Sequence, residues 1–528
     1  MKVADRLNAA KKHIESGNFA EARKINASIL AARPQNTAAL LQASRLEGLS
    51  GHYRLAREYA LKALASRTGH ESGGAAFLLR RLQAFNLGGE AMALIDVLEA
   101  TPGIAPPLYD AIGTVLNQLN QPERALQAID KGLALAPDAI ELKLTRAHTL
   151  VFLGRFDEAE REMDACMRRV PEIGFGWWTL SRLRKQRPDA NHVDALRAQI
   201  SQSGHNPANL AFLAYALHKE LDDLGDYEGA AKALDMACRA KRSQLNYSDA
   251  ESAQLFAKLR AMTVRSTIQS EAGTRTPIFI VGMHRSGTTL LEQMLDGHSK
   301  VRGLGELYEF TAQMRLATDH WCKGVVDATL IERAQSLDYA AIGKGYLDSV
   351  AWRCGQEPYF VDKLPSNFLN IGFICQALPQ AKILHMVRDP MESCFSNLRE
   401  LFSDNTNQYS YNQNELATFF AAYEGLMAHW HRAFPGRIHD VSYSALTRDP
   451  ETTLRTASAF CGLDFEPDML ALEASSRGVT TASAVQVRQG VVALDKPRWA
   501  PYATYLAPLG DALRHARRQT WGAPSPRA

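Results

Sequence analysis

A short pattern, Gly-x-aromatic-x-x-Ala, recurs along the first half of the chain and constrains its fold more than any other feature. It stands at Gly17–Ala22, Gly51–Ala56 and Gly154–Ala159, with weaker copies at Gly88–Ala93 and Asn120–Ala125. The intervals are 34, 37, 32 and 34 residues, and Pro34, Pro102, Pro137 and Pro171 keep a similar beat. A further copy, Gly225–Ala230, lies about two periods on. A repeat of this length cannot bury its own apolar face and must stack on its neighbours. The predicted unit is a pair of helices. Gly sits in the turn between them, the aromatic packs in the seam, and the small Ala lets the helices approach. Proline ends the second helix and opens the next unit. Trp177 and Trp178 are read as core packing.

After about residue 270 this period stops. Ser270–Thr276 is a polar linker, and Pro277–Val281 is a short apolar run of the kind found in buried parallel strands. Gly282-Met-His-Arg285-Ser286-Gly287-Thr288-Thr289 follows, and then Leu290–Asp296 has helical spacing. Strand, Gly-bearing loop and helix together form an anion-binding device, because backbone N–H groups and a helix N-terminus converge on one point. Against the nucleotide-triphosphate loop, Gly282, Gly287 and Thr289 match, but Thr288 replaces the lysine. With no magnesium-binding Asp in evidence, ATP or GTP hydrolysis is disfavoured, and Arg285 supplies the cation instead. A second strand, Lys382–Val387, ends in Arg388, with Pro390 at a helix start and Ser396 eight residues beyond Arg388. Guanidinium and hydroxyl on two rigid elements suit a second phosphate.

The balance of 60 Lys+Arg against 57 Asp+Glu gives +3, and no block is strongly basic, so a nucleic-acid partner is not expected. Seven scattered cysteines without a CxxC pair read as reduced thiols rather than metal ligands or disulfides. The first residues lack a secretory apolar core, and no run approaches the length of a membrane span. The expectation is a cytoplasmic protein without membrane insertion and without a metal.

The two anchors together carry a resemblance. PIFIVGMHRSGTTLLEQML resembles the 5′-phosphosulfate loop of sulfotransferases, and ILHMVRDPMESCFS resembles their 3′-phosphate motif. Leu295-Asp-Gly-His-Ser-Lys-Val-Arg302 is similar to the segment after the loop in tyrosylprotein sulfotransferases. The first half resembles tetratricopeptide repeats, as in bacterial proteins that join such repeats to a sulfotransferase domain. The implied fold is α + α/β. An N-terminal all-α tetratricopeptide-type solenoid is followed by a P-loop-like α/β sulfotransferase domain with a central parallel sheet. The expected division is 1–240 solenoid, 241–275 helical connection and linker, and 276–528 sulfotransferase domain. If these are separate domains, nucleotide binding survives deletion of 1–240.

The resemblance implies 3′-phosphoadenylyl sulfate as donor and no metal. It puts Arg285, Ser286, Gly287, Thr288 and Thr289 on the phosphosulfate, Arg388 and Ser396 on the 3′-phosphate, and Tyr443 near the nucleotide. Arg498, before Trp499, falls where the family closes over the 3′-phosphate. Glu306 takes the position of the family's base, with Glu309 as the alternative. Lys363 takes that of the lysine at the bridging oxygen, with Asp362 beside it, and Ser483 that of its serine helper. His284 and His298 are further candidates for a base, with His298 read as packing at the helix end, and His385 is read as buried mid-strand. The implied acceptor is a protein or peptide tyrosine. A saccharide or small hydroxyl compound, or a non-catalytic nucleotide-binding scaffold, stays open. So does the repeat's role, which is either to bind a partner or acceptor, or to scaffold or dimerise the other half.

Overall fold

The structure is a computed structural model that describes residues 2–66, 72–202, 206–263, 275–402, 407–472 and 496–521. Helices pair as Val3–Glu15 with Phe19–Ala32, Thr37–Leu49 with Tyr53–Ala65, Ser72–Ala84 with Gly88–Glu99, and Pro106–Gln118 with Pro122–Leu135. The pattern alanines Ala22, Ala56, Ala91, Ala125, Ala159 and Ala230 are all at 0% exposure. Only a methyl group fits where the helices cross.

The turns correct the register of the third unit. Gly17, Gly51, Gly154 and Gly225 take left-handed backbone, and so do Asn86 and Asn120. Asparagine tolerates that conformation better than other side chains. The turn residue of the third unit is therefore Asn86, its alanine is Ala91, and Gly88 opens the second helix. The intervals become 34, 35, 34 and 34.

The chain forms two compact units, Met1–Thr149 with Tyr308–Arg353, and Leu150–Leu307 with Cys354–Ala528. Each draws on both halves of the expected division at 240–275. In the first unit, the segment 308–353 packs on the repeats. A Cβ on Gly88 would stand 2.6 Å from Cζ2 of Trp352. That indole fills the place the repeat pattern gives to an aromatic. Trp321 lies 5.3 Å from the rings of both Tyr53 and Phe85. The Arg54 backbone N–H donates to Asp319 at 2.8 Å, and its guanidinium donates to the carbonyls of Leu316 and Ala317.

In the second unit, five parallel strands run in the order β2-β3-β1-β4-β5. They are β1 Thr276–Gly282, β2 Val301–Gly303, β3 Tyr359–Asp362, β4 Lys382–Val387 and β5 Ile438–Ser442. Ile278, Phe279, Ile280 and Val281 are all at 0% exposure, as expected of a central strand covered on both faces. Helices of the repeat half are built into this unit. Tyr215 donates to the Leu398 carbonyl at 3.0 Å, and Arg242 meets Glu415 at 2.8 Å. Arg399 meets Asp222 at 2.7 Å, and Tyr502 also donates to Asp222. Trp177 is buried with its indole N–H on the Pro171 carbonyl at 2.7 Å. Among the described residues no helix is long and apolar enough to cross a membrane. All seven cysteines stand as thiols.

Candidate active site

Sequence-predicted residues gather at the carboxyl ends of all five strands, around the point where the chain order reverses on either side of β1. Open α/β sheets bind ligands there, because helix N-termini and loops converge beyond the strand ends.

The loop after β1 holds Arg285 in left-handed backbone at φ 66° and Gly287 at φ 107°. This doubles the chain back, so that the helix Thr288–Asp296 starts facing the strand end. A Cβ on Gly287 would come within 2.3 Å of the Tyr443 ring, so only glycine lets that ring close on the loop. Ser286, Thr288 and Thr289 are buried. Arg388, just past β4, donates to the Arg285 carbonyl at 2.9 Å and lies 4.5 Å from the Tyr443 ring centroid. It also pairs with Glu392 at 2.8 Å, and Glu392 accepts from the Arg498 backbone N–H at 2.7 Å. Ser396 is half-buried on the helix Pro390–Leu398. Asn397 ties that helix to the loop through the His284 carbonyl at 2.6 Å.

Positive charge is concentrated here. Arg285 is buried, and its Nη1 stands 3.6 Å from Glu400, which Arg182 holds at 3.0 Å from the other oxygen. Burial lowers the pKa of Arg285. Glu400 opposes that, and the nearby guanidiniums of Arg182, Arg388 and Arg399 add to it. Ser286 Oγ, Arg388 Nε and Ser393 Oγ are buried without a hydrogen-bond partner among the described residues. Unpaired hydroxyls and a cationic cluster fit an anionic ligand.

Beside the loop lies a second constellation. Lys363, just past β3, has 0% of its side chain exposed, and its Nζ is 2.6 Å from Glu306 Oε1. Glu306 follows β2 and keeps 38% of its side chain accessible. Burial raises the Glu306 carboxyl, but the Lys363 ammonium outweighs this and leaves it below the usual carboxylate range, with His284 and Arg285 adding to the effect. On the other side of Lys363, 4.0 Å away, is Glu292. Glu292 accepts from the Gly305 backbone N–H at 2.8 Å, and burial pushes its carboxyl up to about 7. Asp362 is buried, with Asn367 3.4 Å away.

Glu309 belongs to the first unit, is 2% exposed, and meets Arg353 at 3.2 Å. His298 bonds the Asp464 carbonyl at 2.9 Å. His385, on β4, bonds Asp440 at 2.7 Å and the Tyr423 hydroxyl. His385, His431 and Asp440 form the one group with metal-ligand spacing among the described residues, and they satisfy one another by hydrogen bonds. Ser483 lies outside the described residues.

Sequence reasoning missed Glu292, Glu392 and Glu400. Glu292 had a signal: it is one acid among Leu290, Leu291, Met294 and Leu295, just beyond an anion loop. A charge on an otherwise apolar helix face needs a buried partner.

Residues 277–467 match the family model described as "Sulfotransferase family", so the chain carries a domain of that family. An uncharacterized protein of Aquifex aeolicus is 26% identical over 427 residues, covering 78% of this chain and 55% of that protein. A protein-tyrosine sulfotransferase of Drosophila melanogaster is 31% identical over 115 residues, 21% of this chain and 23% of that protein. The matches thus span about half or less of these relatives. Among solved structures, the sulfotransferase domain of the Synechococcus PCC 7002 olefin synthase aligns at 20% identity and a TM-score of 0.32. It covers 49% of this chain and 100% of that domain.

Proposed function

We propose that this chain transfers a sulfuryl group from 3′-phosphoadenylyl sulfate to an acceptor hydroxyl, with a protein or peptide tyrosine as the acceptor. The observation that carries this reading is the buried Lys363 at 2.6 Å from Glu306, next to a loop ringed by guanidiniums. An anion loop alone would need neither. The donor supplies the sulfuryl group and a phosphate leaving group. Arg285, Ser286, Gly287, Thr288 and Thr289 hold the phosphosulfate end. Arg388 and Ser396 grip the 3′-phosphate, and Tyr443 and Arg498 close over the nucleotide. Lys363 neutralises charge on the departing oxygen, and Glu306 accepts the acceptor's proton. The repeats bind the acceptor or a partner. The similarity to a protein-tyrosine sulfotransferase supports a tyrosine acceptor.

Calorimetric titration with 3′,5′-adenosine bisphosphate, against ADP and Mg-ATP, tests the reading. Clear preference for the bisphosphate is expected, and preference for Mg-ATP or none overturns it. Arg388→Ala is expected to weaken bisphosphate binding by about 1.5–3 kcal/mol, roughly 10- to 150-fold. Unchanged affinity would move the 3′-phosphate site elsewhere. Glu306→Gln is expected to bind bisphosphate nearly as the parent does and to sulfate a tyrosine peptide about 100-fold more slowly. A variant at the parental rate would show that another group takes the proton.

A further inference from the structure

Lys363 is one ammonium between two carboxylates. Glu306 is 2.6 Å away and open to solvent over 38% of its side chain, while Glu292 is 4.0 Å away and only 6% exposed. The charged groups facing Glu292 are Lys363 from the end of β3, Glu306 from the loop after β2, and Asp296 one turn on along its own helix. A donor entering this site brings more negative charge to the same ammonium. Glu306 and the donor also face Arg285, whereas the cation acting on Glu292 is Lys363, so an ammonium drawn to the donor leaves Glu292 as a buried charge short of a counter-ion, which costs several kcal/mol.

We propose that Glu292 is the charge-balancing positioning residue of the site: it takes up a proton from solvent as the donor's anionic group arrives. Glu306 is thereby left ionised and released from Lys363 to act as base. This rests on the sulfotransferase reading above. The proton goes to Glu292 rather than Glu306 for a physical reason. Glu306 keeps water on its open side, whereas Glu292 has little solvation to lose and a carboxyl already pushed up to about 7 by burial. Glu292 Oε1 keeps the Gly305 N–H at 2.8 Å, so Oε2 is the oxygen that carries the proton. As a protonated acid, Glu292 no longer competes for the ammonium, and Lys363 turns fully to the ligand. Glu292 touches neither donor nor acceptor in this scheme.

The test needs no acceptor. Full-length protein is titrated calorimetrically with 3′,5′-adenosine bisphosphate at pH 7, in buffers of different ionisation enthalpy, which counts protons exchanged on binding. The parent is expected to take up as much as about half a proton more than Glu292→Gln, since a carboxyl titrating near 7 is half protonated beforehand. The bisphosphate's own ionisation is common to both proteins and cancels. A packing role alone would alter affinity and leave the proton count unchanged. Equal counts in the two proteins overturn the proposal. If the variant does not fold, the parent alone decides. Uptake that is larger at pH 8 than at pH 7, where the bisphosphate's own phosphates are already ionised, supports the proposal, and no uptake there overturns it. Failure of the parent to bind bisphosphate would instead overturn the sulfotransferase reading.

Discussion

Residues 241–528 expressed without the preceding 240 are expected to lose bisphosphate binding and cooperative unfolding together. The deletion takes away Asp222, which holds Arg399 at 2.7 Å and accepts from Tyr502. It takes away Arg182 from Glu400, whose other oxygen faces Arg285 of the anion loop. It also removes Tyr215 from the Leu398 carbonyl. Glu400 is only 6% exposed in the intact chain, so the deletion strips its cover and its partner together and uncovers the apolar surface around it. Breaking a buried pair by removing one partner costs about 3–5 kcal/mol. Two or three such losses match the whole stability of an ordinary domain, about 5–15 kcal/mol. Thermal unfolding and calorimetry of the shortened chain check this. A sharp transition with parental bisphosphate affinity would show that the sheet and its loops stand without the repeat helices.

Lys363→Ala is expected to destabilise the protein by about 3–5 kcal/mol at pH 8 and to leave no measurable transfer. Without the ammonium, Glu306 and Glu292 face one another unpaired. Burial already raises Glu292 to about 7, and losing Lys363, which lowers it, raises it further. A carboxyl raised above its unfolded value stabilises the fold at low pH and loses that contribution as pH rises through the folded value. The variant's deficit should therefore be smallest near pH 5 and grow towards pH 8. Urea unfolding of parent and variant at both pH values checks the sign. A deficit independent of pH would mean that the two carboxylates do not depend on Lys363.

Much of the fold is legible because it is periodic. The buried alanines recur with the helical repeat, and a chain of such units has few alternatives. The third unit was misread by two residues. Its turn uses Asn86 instead of glycine, and its seam aromatic is Trp352, far away in sequence. The strand-end position of Arg388 was legible because a short apolar run precedes it, whereas Lys363 was placed only through the resemblance. Glu292 was missed, since its partner Lys363 is 71 residues on.

The sequence by itself determined the elements: paired helices from the spacing of Gly, aromatic and Ala, buried strands from PIFIV and KILHMV, and a loop built for an anion. These are local choices, settled by backbone conformation and short-range packing. Only the tertiary structure decided which elements share a core. The segment 308–353 joined the early repeats, helices from 150–260 joined the sheet, and two glutamates came to flank one lysine. Those outcomes depend on burying apolar surface and pairing charge between residues far apart in the chain. A short window can show that a charge such as Glu292 needs a partner, but not which distant residue supplies it.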